Sequence, residues 1–166
     1  MSVYRTAGPP TDPIPVEFPE VDWKAVGCDI ARPFTLGLEV NESHMGRAIR
    51  HVPNVEYVRW MEIAAVSHSA ALGYTRDYHK ENGVMWFVRR HEIDYLGEVF
   101  EGDTIAIATW VSRMEKSRSH REYLVYRPSD STKILRGTTI WVLVSIKTRK
   151  PMRVNPEMIE KYVPKI

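Results

Sequence analysis

One run constrains this chain more than any other: His51 to Gly73, HVPNVEYVRWMEIAAVSHSAALG. It predicts a single long helix with an entry turn in front and a glycine stop behind. Pro53 is excluded from a helix interior, and Asn54 is a preferred N-cap residue. Glu56 falls in the first turn, where a carboxylate meets the positive end of the helix dipole. Gly73 is placed for the left-handed residue that closes many helices. At roughly 100° per residue, Tyr57, Met61, Ala64, Ala65, His68 and Leu72 form an apolar stripe, while Glu56, Arg59, Ser67 and Ala70 lie away from it. Glu62 is the unusual member, flanked on the wheel by Val55, Val58 and Val66 with Ser69 as its polar neighbour. A carboxylate in such company is expected to be paired or raised in pKa.

The chain has 166 residues, enough for one domain with a sizeable core, and five tryptophans that mark it as globular. A net charge of +2 gives no electrostatic footprint for nucleic acid, and no dense Lys/Arg run marks a membrane surface. Cys28 is the lone cysteine, so neither a disulfide framework nor a cysteine-based metal site is expected. His44 and His51 stand in one loop without a third ligand nearby, and no metal is expected there. No stretch approaches the ~18 apolar residues of a membrane span, and no apolar leader segment is evident. A cytoplasmic protein is the expectation.

Residues 1–33 hold six of the eleven prolines, which disfavours both helix and central strand. They are expected to form an extended arm anchored through Trp23 and Val26, distinct from a folded domain over 34–166. Phe34 to Val40 reads as a short strand, Asn41 to Pro53 as a polar loop, and Tyr74 to Gly83 as a charged connection. Four strand-like runs follow: Val84–Tyr95, Asp103–Val111, Arg121–Arg127 and Lys133–Lys147. In the second, Ile105, Ile107, Thr109 and Val111 alternate with Ala106, Ala108 and Trp110; in the third, Tyr123 and Val125 alternate with Leu124 and Tyr126. Met158 to Tyr162 is expected to add a last helical turn. The class is α+β: one strand, a long apolar helix, then four antiparallel strands. A helix apolar over most of its circumference needs sheet on more than one side, which a curled sheet supplies.

This order, together with HVPNVEYVRWMEIA, resembles the hot-dog fold acyl-CoA thioesterases of the 4-hydroxybenzoyl-CoA thioesterase type. His51, Val52, Asn54, Tyr57, Arg59, Trp60, Met61 and Glu62 match the family's helix pattern in register. EIDYLGEVFEGDTIAIATWV and TTIWVLVSIKTRKPMRVNPEM resemble its strand-loop-Gly-Asp strand and its closing strand. The resemblance covers about residues 34–150. It implies a hot-dog fold, a curved five-stranded antiparallel sheet wrapped around one central helix. It implies hydrolysis of an acyl-CoA or acyl-carrier-protein thioester, with coenzyme A as part of the substrate and no other cofactor. Pairing of sheets into a homodimer or a dimer of dimers goes with it. The chain departs from the pattern at Arg47, where the family has a loop carboxylate, at Arg50, where it has glycine, and at Pro53, where it has asparagine.

Thioester hydrolysis needs an oxyanion donor, a base or nucleophile, and a grip on the carrier. The N–H groups from Val55 to Tyr57, at the helix start, are the oxyanion candidates. Glu62 is the leading carboxylate, although it lies about 12 Å along the axis from Asn54; substrate would have to lie along the helix, or a second subunit would have to close the gap. The bland reading makes it a buried glutamate paired with Arg89 or Arg90. Glu42 is the other carboxylate, His51 an acid/base or water-orienting group, and Asn54 an N-cap or water-positioning amide. His68 reads as a satisfied core histidine. The resemblance places coenzyme A phosphates near Lys116, Arg118 and Arg121, which could equally be a solvated hairpin. Two alternatives stand beside the thioesterase: a hot-dog acyl-CoA-binding domain without catalysis, which Arg47 and Pro53 favour, and a hot-dog dehydratase or hydratase.

Overall fold

The computed structural model describes residues 15–163. The elements run β1 (Phe34–Glu39), a 3₁₀ turn (Glu42–His44), α1 (Asn54–Ala71), α2 (Arg76–Glu81), β2 (Val84–Tyr95), β3 (Thr104–Glu115), β4 (Arg118–Arg127), β5 (Thr132–Ser145) and α3 (Pro156–Tyr162). All strands pair antiparallel in one sheet of order β1-β3-β4-β5-β2, so the expected α+β architecture, one helix against a five-stranded sheet, is present. Among the described residues, no helix is long and apolar enough to cross a membrane.

The ends of α1 follow from their residues. Pro53, extended at ψ 149°, is the N-cap and Asn54 the first helical residue, a one-position correction to the expected Asn54 cap. Proline's side chain has no acceptor, so there is no side-chain cap; the Glu56 N–H donates to the Pro53 carbonyl at 2.9 Å instead. At the other end Gly73 takes φ +91°, its N–H bonds the Ala70 carbonyl at 3.0 Å, and the Tyr74 N–H bonds the Ser69 carbonyl at 2.8 Å. That pair of bonds is a Schellman stop, and it needs the glycine expected from the sequence.

Tyr57, Trp60, Met61, Ala64 and Ala65 of α1 are buried against Ile105, Ile107, Tyr123, Val125 and Leu135 of the sheet. The alternation read from β3 and β4 is therefore real: odd positions face the helix. Gly137 on β5 lets α1 approach, since a Cβ there would stand 3.1 Å from the Met61 methyl. The even positions Ala106, Ala108, Trp110, Leu124 and Tyr126 face the other way and are also covered. Their cover is the N-terminal segment, whose Trp23 and Cys28 are buried and whose Phe18, Val21, Val26 and Ile30 pack alongside. The Val16 N–H bonds the Gly37 carbonyl at 3.0 Å, and Pro15 bridges Leu38. Gly37 is required at this crossing, because a Cβ would meet the Val16 carbonyl oxygen at 2.2 Å. The first fourteen residues of the expected arm lie outside the described residues.

The connection from Tyr74 to Gly83 is not plain loop. Thr75 accepts from the Tyr78 N–H at 3.1 Å and starts α2, which Asn82 and Gly83 stop. A second apolar cluster, with Tyr74, Val111, Met114, Leu143, Met158 and Tyr162, closes the C-terminal end of α1.

Candidate active site

The valines that surround Glu62 on the helix wheel do not enter the core. Val55 is 58% and Val66 41% exposed, and Glu62 lies exposed on the same strip of α1. The expected burial of Glu62 is thus corrected. The buried carboxylate is Glu56, 1% exposed, with its Oε2 3.7 Å from an Arg59 nitrogen. The wheel explains the exchange: Glu56 lies one turn before Trp60, only about 40° from it, and Trp60 is fully buried.

Beside the exposed strip opens a cavity of about 500 Å³, bounded by the second half of α1, α2, the start of β2 and the start of β4. Glu62, Val66, Trp86, Met114, Arg121 and Trp141 are part of its wall. Glu62 is the lining residue of α1 nearest the helix N-terminus. On the facing strand, His91 of β2 shares a hydrogen bond with the Thr139 hydroxyl at 2.8 Å. Burial lowers the His91 pKa, and the charge of Glu62 partly offsets it.

Arg121 is the least expected wall residue. It shares the helix-facing parity of Tyr123 and Val125 and is 4% exposed, so it is not on a solvated hairpin rim. From Nη1 it donates to His68 Nδ1 at 2.9 Å and to the Thr109 hydroxyl at 3.2 Å. Its guanidinium carbon stands 5.7 Å from the centre of the Tyr162 ring. Burial pulls its pKa below the ordinary value, yet a guanidinium remains charged in proteins. His68 is pushed down to about 4, by burial first and by the Arg121 charge second. It is a neutral core histidine, stacked on Phe34 at 5.1 Å.

The other candidates lie apart from the cavity. Glu42 is exposed in the 3₁₀ turn, 3.7 Å from Arg50, which also bonds Glu101. His51 is held to the loop backbone: its Nδ1 lies 3.1 Å from the Ile49 carbonyl, and its own carbonyl accepts from the Gly46 N–H at 2.7 Å. Asn54 is exposed at the helix start, beside Val55. The Val55 N–H is in the first turn, free of the helical ladder by position. That of Tyr57, four residues after the Pro53 cap, opens the ladder and is withdrawn as an oxyanion donor. Lys116, at φ 52°, and Arg118 sit exposed at the β3–β4 hairpin. Among the described residues no three of His, Cys, Asp or Glu converge as a metal site.

Sequence reading missed His79, Trp86, Trp141 and His91 as site neighbours. Thr75 followed by a charged run and Asn82-Gly83 was a helix signal that would have put His79 on α2. Extending the period-two pattern of β4 back by two residues would have put Arg121 on the helix face.

The family model of the thioesterase-like superfamily matches residues 16–162. A chloroplastic acyl-[acyl-carrier-protein] hydrolase of Cuphea viscosissima is 26% identical over 106 residues, covering 60% of this chain and 26% of its own length. The chain thus spans about a quarter of that relative. Among solved structures, a 1,4-dihydroxy-2-naphthoyl-CoA thioesterase from Synechocystis superposes with TM-score 0.68 at 15% identity, covering 75% of this chain and 90% of the other. A 12:0-ACP thioesterase from Umbellularia californica superposes with TM-score 0.69 at 19% identity, over 80% and 51%. These likenesses give the fold, a hot-dog sheet around one helix.

Proposed function

The chain belongs to the thioesterase-like superfamily, and on that footing we propose that it hydrolyses an acyl thioester of coenzyme A or of an acyl-carrier protein. The observation that carries the reading is the largely apolar cavity beside Glu62, about 500 Å³ and so of ligand size. Both kinds of carrier appear among the proteins it is similar to, one acting on an acyl-CoA and two on acyl-ACP.

The acyl group lies along the exposed strip of α1 and enters the cavity past Glu62. Water attacks the thioester carbonyl as its proton passes to Glu62, and the C–S bond then breaks with Glu62 returning that proton to the departing sulfur, so that acid and thiol are released. His91, whose titration responds to the charge of Glu62, is the candidate to share in that proton transfer. The free N–H groups of Asn54 and Val55 suit a developing oxyanion, because a helix start offers unpaired donors and a favourable dipole. They stand about 12 Å from Glu62 along one helix. A second subunit resolves the distance by bringing its own helix start toward this strip.

The sheet suits such pairing. The β1 edge is closed by Pro15 and Val16, whereas among the described residues β2 pairs only with β5 and leaves its outer edge open. Phe87, 59% exposed, and the exposed Tyr95 and Leu96 lie on or next to that edge strand. Two copies joined along β2 make one continuous sheet and cover these side chains. Lys116 and Arg118 remain the candidates for the carrier phosphates.

The test is thiol release, followed by a thiol-reactive dye, over a panel of acyl-CoA and acyl-ACP substrates. Arg47, in the loop position where the resemblance has a carboxylate, favours one second reading, an acyl-thioester-binding domain without hydrolysis. Saturable binding with no thiol released from any substrate is its signature.

A further inference from the structure

Two arginines on β4 have opposite surroundings. Arg127 meets two carboxylates, Asp103 at 2.7 Å and Asp130 at 2.8 Å, and also the Glu98 carbonyl at 2.8 Å. Arg121 is more deeply buried, yet its two bonds go to an imidazole nitrogen and a hydroxyl, both uncharged. Among the described residues no carboxylate reaches it, and its neighbours Tyr123 and Tyr162 are neutral phenols whose pKa burial raises. Both bonds leave from Nη1, so the donors on Nε and Nη2 are uncommitted among the described residues. A buried cation without a counter-ion is costly to hold, and proteins tolerate it where something else supplies the anion.

The position of Arg121 says what that is. It forms wall in the apolar cavity, together with further buried groups that lack a hydrogen-bond partner among the described residues, His79 Nδ1 and Trp86 Nε1 among them. A plain hydrocarbon chain would leave all of these unmet, at the cost that burying unpaired polar groups carries. A carboxylate would answer the planar fork of the guanidinium with two oxygens.

We propose that the acyl group received by this cavity ends in a carboxylate bound by Arg121, so that the substrate is the mono-thioester of a dicarboxylic acid. This rests on the thioesterase reading for its other end. From Glu62 to His68, the partner of Arg121, the helix advances six residues, about 9 Å. A diacid of medium length spans that gap, with its thioester beside Glu62 and its free carboxylate at Arg121.

The test separates binding from turnover. Isothermal titration of the full chain uses monomethyl esters of α,ω-dicarboxylic acids from succinic to dodecanedioic as the diacid probes, their ester standing for the thioester and their free carboxylate for the Arg121 end. The monoacid probes are methyl esters of monocarboxylic acids of equal length, which carry no carboxylate, and coenzyme A alone is a third ligand. The expected result is about tenfold or tighter binding of a medium-length diacid over its matched monoacid, the worth of a charge-assisted pair. Arg121→Gln loses that preference and keeps the monoacid affinity. Equal affinity for diacid and monoacid in the wild-type chain overturns the proposal even if no Arg121 variant folds. Coenzyme A binding lost in Arg121→Gln, with no diacid preference, overturns it in favour of a phosphate site. Thiol release from simple acyl thioesters without diacid preference leaves hydrolysis standing and removes this inference. Arg121-dependent diacid binding without thiol release from any thioester does the reverse.

Discussion

Arg121 on β4 and His68 on α1 are joined by a single hydrogen bond of 2.9 Å, in which a permanently charged guanidinium donates to a neutral imidazole nitrogen. The bond fixes the histidine tautomer, with the proton on Nε2, and ties the cavity wall to the central helix. A protonated His68 would set two cations against each other in a buried site, and this gives the protein a definite response to acid.

In the folded chain His68 titrates at about 4, against 6.5 when free. The unfolded chain therefore binds the extra proton first as pH falls. The stabilisation from neutral His68 is complete above about 6.5 and is lost as pH falls through that value toward 4. Its ceiling is about 3 kcal/mol, and solvent screening of a partly exposed ring reduces it. Denaturant titrations at intervals between neutral pH and pH 4 should show this slope in the wild type and a flatter one in His68→Gln. Equal slopes would remove His68 as the acid-sensitive group.

Glu62 is exposed, so its substitution should leave stability nearly unchanged. Glu62→Gln should cut turnover per folded molecule by about 10²–10⁴, the range for loss of a general base. Wild-type turnover in that variant would remove Glu62 from the chemistry and turn attention to Glu42 and His51.

Pairing along β2 predicts a dimer, or a dimer of dimers, by light scattering at micromolar concentration. Phe87→Glu places a charge on the open edge strand and should shift the chain toward monomer. A monomeric wild type would contradict the two-subunit site.

The N-terminal segment should behave as part of the core. Trp23 is buried against Ala106, Ala108 and Tyr126, with its ring 6.3 Å from that of Tyr126. Trp23→Ala should cost about 3–5 kcal/mol in chemical denaturation. A loss below about 1 kcal/mol would mean the segment merely lies on the sheet.

Much of this frame was legible in the sequence where one physical rule acts alone. Gly73 closes α1 because a Schellman stop wants a left-handed residue, and the parity of Ile105 and Tyr123 follows from the pleat. The exchange of Glu56 and Glu62 was not legible, because apolarity marks what must be covered without saying by what. Trp60 and Val66 weigh alike on a wheel, yet the sheet covers the first and leaves the second for a ligand or a second subunit. Arg121 was hidden for the related reason that a basic residue near a hairpin is ordinarily solvated. Only the strand parity, carried back from Tyr123, contradicts that habit.

Thiol release by the wild-type chain, compared with Glu62→Gln at equal folded concentration across acyl-CoA and acyl-ACP substrates, tests the central claim most directly. Release of thiol and free acid by the wild type, reduced at least about a hundredfold in Glu62→Gln, is the predicted result. A folded wild-type protein that binds these thioesters and releases no thiol from any of them would contradict it.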